Sequence, residues 1–584
     1  MESPKATLDE FAQRLVHECK FSDGSISFLL DKNFASEDFK KMYEAMSLPN
    51  QTFEQRRKSK SWLEVMLDRG DSPEMAPGRY GRYIDGFEDI SSEQALVKGR
   101  MKFAVEYVIE LADLISTSTK SKLVDRAFTE DEKAKLRSIY EKFETKDYAA
   151  VKIIEKKTDH DLVAANAWVT IRAQQLGLDD NLMRRITHFA RTSADVNTNV
   201  EGEIYTKAIG KWSSSVIELL TELQSRAKTY LDLSCVAQTH GQDAQLTTFG
   251  FIYANLAEQI RLHAESLPLL LDGKIAGAIG TDVDWKAAFP DVDAKPMYKK
   301  IVEEKFGLKF IELGNDQDCT NAALSKALDT MVDVGFVIQK AANDVWHYAS
   351  RGILAKKTKK GESGSSAMPQ KANPFLAEGC EALVSIYTAM INPIKEVIIA
   401  YRTQGDLRRS ITKREAFHPI MLAIIATKRL TEEIKKYDPN IIAIEQEVYN
   451  QGPKIISSSL QNYLREKGIP DAYDAIKGVV MKPFVRVEEV INCVEDMWEA
   501  DKIDRTTTDE VISRLRSVMD INDYMSRIRS GEEKLSDLIS GLNTYNKNDT
   551  RAKLLGDAIP NTLKMIDRIE ETKLQLQNYA KKAA

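Results

Sequence analysis

The sequence predicts an all-α protein built around a central bundle of long helices. Apolar residues recur at three- and four-residue steps almost throughout, while alternating Val/Ile/Thr runs bounded by turns are scarce. The longest periodic stretches are joined by long connections, which suits a bundle better than a globin-like array. At 584 residues the chain can bury several cores, and its 43% apolar and 29% charged residues are those of a globular protein. A net charge of −6 argues against a broad nucleic-acid or membrane surface. Any anionic ligand must therefore be held by a local cluster of Arg, Lys and backbone N–H groups.

Taken in order, residues 1–192 form an N-terminal helical domain with an extension. Short helices are expected around Leu8–Leu15 and Phe39–Met46, with longer ones from Ser92 to about Thr117 and from Glu130 to Ile154. Residues 193–434 form the central bundle: Ile204 to about Thr229, Phe249–Leu267, a helix marked by Leu328, Met331, Val334, Ile338 and Val345, then Ala377–Met390 and, beyond Pro393, Ile394–Arg402. Gly273, Gly277 and Gly280 mark turns between them. Residues 435–584 form a smaller helical unit punctuated by Pro439, Pro453, Pro470 and Pro483. The five cysteines include no CxxC pair, so neither a zinc site nor a disulfide framework is expected, and no apolar run approaches a membrane span. A reducing cytosol is the expected location.

Six stretches could carry chemistry. Gly361-Glu-Ser-Gly-Ser-Ser-Ala-Met-Pro-Gln-Lys-Ala-Asn-Pro374 is a polar, glycine-hinged loop between two helical patterns; Asn373 is expected to cap a helix that begins at Pro374. On composition alone such a loop is a solvent-exposed linker. Thr239-His240-Gly241-Gln242 sits in a short connection, and its histidine is of the type that changes charge near neutral pH and serves as general acid or base. In Thr158-Asp159-His160-Asp161 the bland role is Asp161 as an N-cap. In Arg191-Thr192-Ser193-Ala194-Asp195-Val196-Asn197 it is Thr192 or Ser193 capping the long helix, although capping and anion binding draw on the same unpaired N–H groups. Gly78-Arg79-Tyr80-Gly81 is a turn with a cation, and Asp406-Leu-Arg-Arg-Ser410-Ile-Thr-Lys-Arg414 a basic helix face.

The order of residues in the first stretch adds more. Gly364-Ser-Ser-x-Met-Pro-x-Lys-x-Asn-Pro374 resembles the signature of the fumarase/aspartase superfamily of lyases, and Ser-Ser-Ala-Met-Pro within it is most similar to the adenylosuccinate lyase branch, the bacterial type above all. Four or five motifs in all stand in that branch's order, over roughly residues 75–525. The resemblance implies a three-domain fold, cleavage of a C–N bond by β-elimination with release of fumarate, and a homotetramer whose active sites are shared between chains. It implies Ser365 as general base and His240 as general acid. It also implies substrate contacts from Arg79, Tyr80, Thr158, His160, Asp161, Thr192, Ser193, Gln242, Ser366, Lys371, Asn373, Ser410 and Arg414, with the phosphate of a nucleotide held by Arg79, Tyr80, Ser410 and Arg414. No metal or organic cofactor, nucleic acid or membrane is implied. The chain departs from the pattern at Gly405, where the bacterial enzymes carry an arginine that Arg408 or Arg409 could replace, and near Leu313–Gln317, where the branch's Gln-x-Glu-Pro segment has no clear counterpart. Rival readings are another fumarate-releasing lyase, of the argininosuccinate lyase or aspartase type, and a non-catalytic helical scaffold of the same fold.

Overall fold

A computed structural model describes residues 9–50, 55, 79–357, 368, 370–519 and 555–583. Short helices α1 (Glu10–Cys19), α2 (Asp23–Asp31) and α3 (Ser36–Met46) open the chain. With α4 (Glu93–Ser118), α5 (Glu130–Glu141), α6 (Thr145–Thr158), α7 (Asp161–Gln175) and α8 (Asp180–Ile186) they form the N-terminal layer, in which α3 packs on α6. The helix expected over Glu130–Ile154 is in fact two. Residues 142–144 break it, and a second start follows in which the Glu144 N–H donates to Asp147 at 2.8 Å.

The centre of the molecule is α9 (Ser193–Thr229), 37 residues long, with α10 (Phe249–Ala264), α11 (Ala322–Ser350), α12 (Phe375–Ile399) and α14 (Phe417–Lys436); the short α13 (Arg408–Glu415) leads into α14. α9 packs on α4, α10 and α14, while α12 lies between α11 and α14. The start of α9 is fixed locally: the Thr192 N–H, unpaired at the helix boundary, donates to the Asp195 carboxylate at 3.1 Å. α11 and α12 approach so closely that a Cβ on Gly335 would meet the Tyr387 hydroxyl at 1.8 Å. The buried Tyr387 donates from there to the Met331 carbonyl at 3.3 Å.

Three sequence expectations change at α12. The helix starts at Phe375, with Pro374 as its cap residue and no side-chain cap from Asn373. It does not stop at Pro393, because its buried stripe, Leu383, Tyr387, Ile391, Ile394 and Ile398, continues across the proline and holds both halves in one register. It is also long and apolar enough by composition to cross a membrane, unlike the expectation, though it sits as a bundle helix between two neighbours.

Among the described residues, strands are few and short. β1 (Ser234–Thr239) and β2 (Gln242–Thr248) form an antiparallel hairpin where only a connection was expected. Its two-residue turn is His240-Gly241, both with positive φ (55° and 69°), the backbone of a type I′ turn. β3 (Asp272–Gly273) pairs in parallel with β4 (Lys309–Phe310), and β5 (Leu354–Lys356) antiparallel with β6 (Tyr437–Pro439). Beyond β6, α15 (Ile441–Ile455), α16 (Ser457–Glu466), α17 (Ala472–Val480), α18 (Val487–Glu499) and α19 (Arg505–Met519) follow, joined to the rest through α15, which packs on β1 and β2. The last helix, α20 (Ala558–Ala583), returns to the bundle and packs along α9 and α10. There the Gln224 amide donates to the Ile566 carbonyl at 2.9 Å, and Arg568 pairs with Glu258 at 2.8 Å.

Candidate active site

A cleft of about 640 Å³ opens where the end of α6, the start of α7, the first two turns of α9 and the loop before α13 converge. His160 and Asp161 line it from α7, Ser193, Asn197, Thr198 and Glu201 from α9, and Ser410, Lys413 and Arg414 from α13. Gln317, Asp318 and Gly405 complete the wall. A backbone bond from the Gln317 N–H to the Gln404 carbonyl, 2.9 Å, clips the two wall loops together. The α9 end supplies a first turn whose leading N–H groups have no intrahelical acceptor, the usual setting for an anion.

Two ionic groups shape the cleft. Asp161 is not an N-cap side chain, since His160 holds the cap position; it instead receives Arg100 of α4 at 2.8 Å and Arg414 at 2.9 Å. Arg100 is buried and also donates to Asn197 at 3.0 Å, so it ties α7 to α9. Burial raises the Asp161 carboxyl, but Arg100, the Leu162 N–H and Arg414 outweigh it and hold it below the usual carboxylate range. Deeper, Lys413 lies 2.6 Å from Asp318 and 3.5 Å from Glu201, all three buried. Burial pushes both carboxyls up. At Asp318 the lysine, the Thr198 hydroxyl and Arg409 reverse the effect and bring it to about 2, whereas at Glu201 burial wins and the carboxyl stays raised.

A third group braces α9 from behind. Buried Asp195 receives Lys274 at 2.8 Å, lies 3.5 Å from Arg191, and accepts the Ala276 and Gly277 N–H groups at 2.9 and 3.2 Å. Arg191 also reaches Asp282 and Tyr298, each at 2.7 Å. The irregular glycine segment is thereby pinned beneath the first turn of the long helix. Its Gly280 has a positive φ of 80°, and a Cβ there would meet the Asn315 carbonyl at 2.0 Å.

Of the sequence-predicted residues, His160, Asp161, Ser193, Ser410 and Arg414 come together around this cleft. Thr158 sits at the C-terminal end of α6, its hydroxyl on the Ile154 carbonyl at 3.2 Å, and Thr192 precedes the α9 turn. Elsewhere, His240 stands exposed at the hairpin tip with Gln242 beside it. Arg79 is exposed and Tyr80 half-buried, its ring 5.4 Å from the Arg429 guanidinium. The adjacent Arg82 and Tyr83 are engaged instead with Glu432, at 2.9 and 2.8 Å. Lys371 is exposed, and the Asn373 carbonyl accepts Lys356 at 3.2 Å. Ser365 and Ser366 lie outside the described residues.

Sequence reasoning passed over Arg100, Glu201 and Asp318, and gave no role to Asn197 and Lys413, although both lie in stretches it singled out. Arg100 had a signal, a cation in line with apolar Val97, Met101 and Ala104 on one face of α4. The other four lie in stretches whose burial only the assembled fold decides.

A sequence model of the family described as Lyase matches residues 78–387, more than half of the chain. The chain belongs to this family. The lyase is 26% identical over 417 residues to the adenylosuccinate lyase of Dictyostelium discoideum, an alignment covering 68% of this chain and 86% of that one. It is equally 26% identical over 407 residues to the adenylosuccinate lyase of Escherichia coli (strain K12), with the same coverage. Among solved structures it resembles a fumarate lyase from Mesorhizobium sp. BNC1, at 14% identity and a TM-score of 0.58, over 79% of this chain and 97% of that one. It also resembles the 3-carboxy-cis,cis-muconate lactonizing enzyme of Pseudomonas putida, at 16% identity and a TM-score of 0.57, over 83% and 97%. These likenesses concern the fold, which is the all-α fumarase/aspartase-like architecture that the signature implied.

Proposed function

We propose that this lyase cleaves the C–N bond of adenylosuccinate, and of its imidazole-carboxamide counterpart SAICAR, to give AMP or AICAR and fumarate in purine biosynthesis. The observation that carries the reading is the convergence of three separate sequence stretches, His160-Asp161, Ser193 and Ser410–Arg414, on one polar cleft, where Arg409, Lys413 and Arg414 stand among carboxylates, in a chain similar to adenylosuccinate lyases. The reaction requires a proton to leave a carbon next to a carboxylate. The electron pair then forms the fumarate double bond while the C–N bond breaks, and the departing nitrogen takes a proton. Charge builds up on the carboxylate in the transition state, so preorganised donors are the main source of acceleration. Ser365 is assigned as the base, His240 as the acid, Thr192 and Ser193 as contacts of a substrate carboxylate, Ser366 and Lys371 as donors that stabilise the carbanion-like state, and Asn373 as a further substrate contact. Arg79, Tyr80, Ser410 and Arg414 are assigned to the phosphate.

The same reading has the enzyme as a cytoplasmic homotetramer, divided at 1–192, 193–434 and 435–584. In one chain His240 and the cleft lie on different elements and His240 does not line the cleft, which is the arrangement expected if a neighbouring chain supplies the acid. α12 supports self-association: only 33% of its most apolar stretch is buried within one chain, and Ile386, with Phe336 of the adjacent α11, is more than half exposed. Purified protein given adenylosuccinate, followed by absorbance and by detection of fumarate, tests the function.

A further inference from the structure

Beside the cleft, Arg409 is a cation without a full set of partners. It is only 3% exposed, yet it lines the cleft. Its Nε and Nη1 are buried and make no hydrogen bond among the described residues. The Asp318 carboxylate is 3.4 Å away, but its best geometry goes to Lys413 at 2.6 Å, so one carboxylate serves two cations. The central carbon of the guanidinium lies over the Tyr401 ring, 3.9 Å from its centroid, and Tyr401 is itself fixed to Asp316 at 2.8 Å. Unpaired buried donors on a charged group are costly, and a guanidinium is shaped to give two parallel bonds to an oxyanion. The preceding Arg408 is different: it is exposed and committed to Asp406, at 2.8 and 3.1 Å. Gly405 leaves the space that Arg409 uses, since a Cβ there would lie 2.9 Å from Nη2 of Arg409 and 2.5 Å from the Gln317 amide oxygen.

We propose that Arg409, and not Arg408, is an anion-binding residue of this cleft and takes the phosphate monoester of the substrate, next to Ser410 and Arg414. The identity of the anion as a nucleotide phosphate rests on the function proposed above; the presence of an oxyanion site at Arg409 does not. Wild type, Arg409→Gln, Arg409→Lys and Arg408→Gln are compared in two measurements. The first is calorimetric binding of inorganic phosphate. Wild type and Arg408→Gln should bind alike, Arg409→Gln at least about tenfold more weakly, and Arg409→Lys in between, because a lysine keeps the charge and loses the fork. The second is kcat/KM for adenylosuccinate and for its dephosphorylated nucleoside, where Arg409→Gln should lose about 10- to 100-fold on the nucleotide alone. If the glutamine variant does not fold, the lysine variant carries the test, and phosphate affinity equal to wild type there overturns the proposal. So does an equal loss on both substrates, or no phosphate binding by wild type. Phosphate binding that depends on Arg409 in a protein that leaves adenylosuccinate untouched would uphold the anion site and reject the function.

Discussion

Asp318, in the loop before α11, holds Lys413 of α13 at 2.6 Å in the wall of the cleft, with both side chains buried. The pair locks the basic helix that carries Ser410 and Arg414 to the loop opposite. Asp318→Asn would leave Lys413 and Arg409 as buried cations with less compensation. Removing one partner of a buried pair costs about 3–5 kcal/mol, so a clear drop in the denaturation midpoint is expected. The folded Asp318 carboxyl sits at about 2, below its usual range. Its stabilising contribution is therefore complete above the ordinary carboxylate range and is lost as pH falls through it toward 2. Chemical denaturation across pH 2–5 should show a shallower acid limb in Asp318→Asn than in wild type; parallel limbs would remove this role from Asp318.

Glu201 faces the same lysine with the opposite shift. Burial raises its carboxyl, so the charged form is held at a cost. Glu201→Gln should leave stability at neutral pH unchanged or slightly higher, in contrast to Asp318→Asn. A loss as large as that of the aspartate variant would contradict the asymmetry between the two carboxylates.

Ser365→Ala removes the proposed base and keeps most ground-state contacts. Turnover should fall by about 10²- to 10⁴-fold, the range of general acid–base catalysis, while substrate still binds. Rapid-quench turnover together with calorimetry of substrate binding separates the two effects. Near-normal turnover would reject Ser365 as the base.

His240→Ala should also be inactive, and mixing it with Ser365→Ala under conditions that exchange subunits should restore part of the activity through hybrid sites. Sedimentation should give a tetramer. A fully active monomer, or an active His240→Ala beside an inactive His160→Ala, would move the acid to the cleft histidine.

Arg414 bridges to Asp161 at 2.9 Å and stands half exposed over the cleft. Arg414→Ala should cost about 1.5–3 kcal/mol in kcat/KM on the nucleotide substrate, the worth of a charge-assisted contact. It should cost less on the nucleoside. Because the phosphate lies away from the breaking bond, the loss reflects positioning of the purine.

Much of this was legible in the chain. The periodicity of Leu328–Val345 and of Phe249–Leu267 gave helices within a few residues, because burial on one face is what sets that period. The His240 hairpin was missed: a two-residue turn with positive φ was readable at Gly241 but not at His240, and β1 and β2 are too short and mixed for an alternating signal. The break at 142–144 comes from a local helix start, the Glu144 N–H on Asp147, that periodicity alone does not show, and the passage through Pro393 was decided by neighbours in space. At the site, Ser410 and Arg414 were found because their spacing is a motif. Lys413, between them, was not, because its role depends on Asp318 and Glu201, which reach it from distant parts of the sequence.

Whether the cleft cleaves adenylosuccinate is read from the absorbance of adenylosuccinate incubated with purified protein, with AMP and fumarate quantified at the end. The predicted result is loss of adenylosuccinate with equal amounts of AMP and fumarate, abolished in Ser365→Ala. Turnover of argininosuccinate or aspartate with none of adenylosuccinate, or no turnover of any of the three, would contradict it.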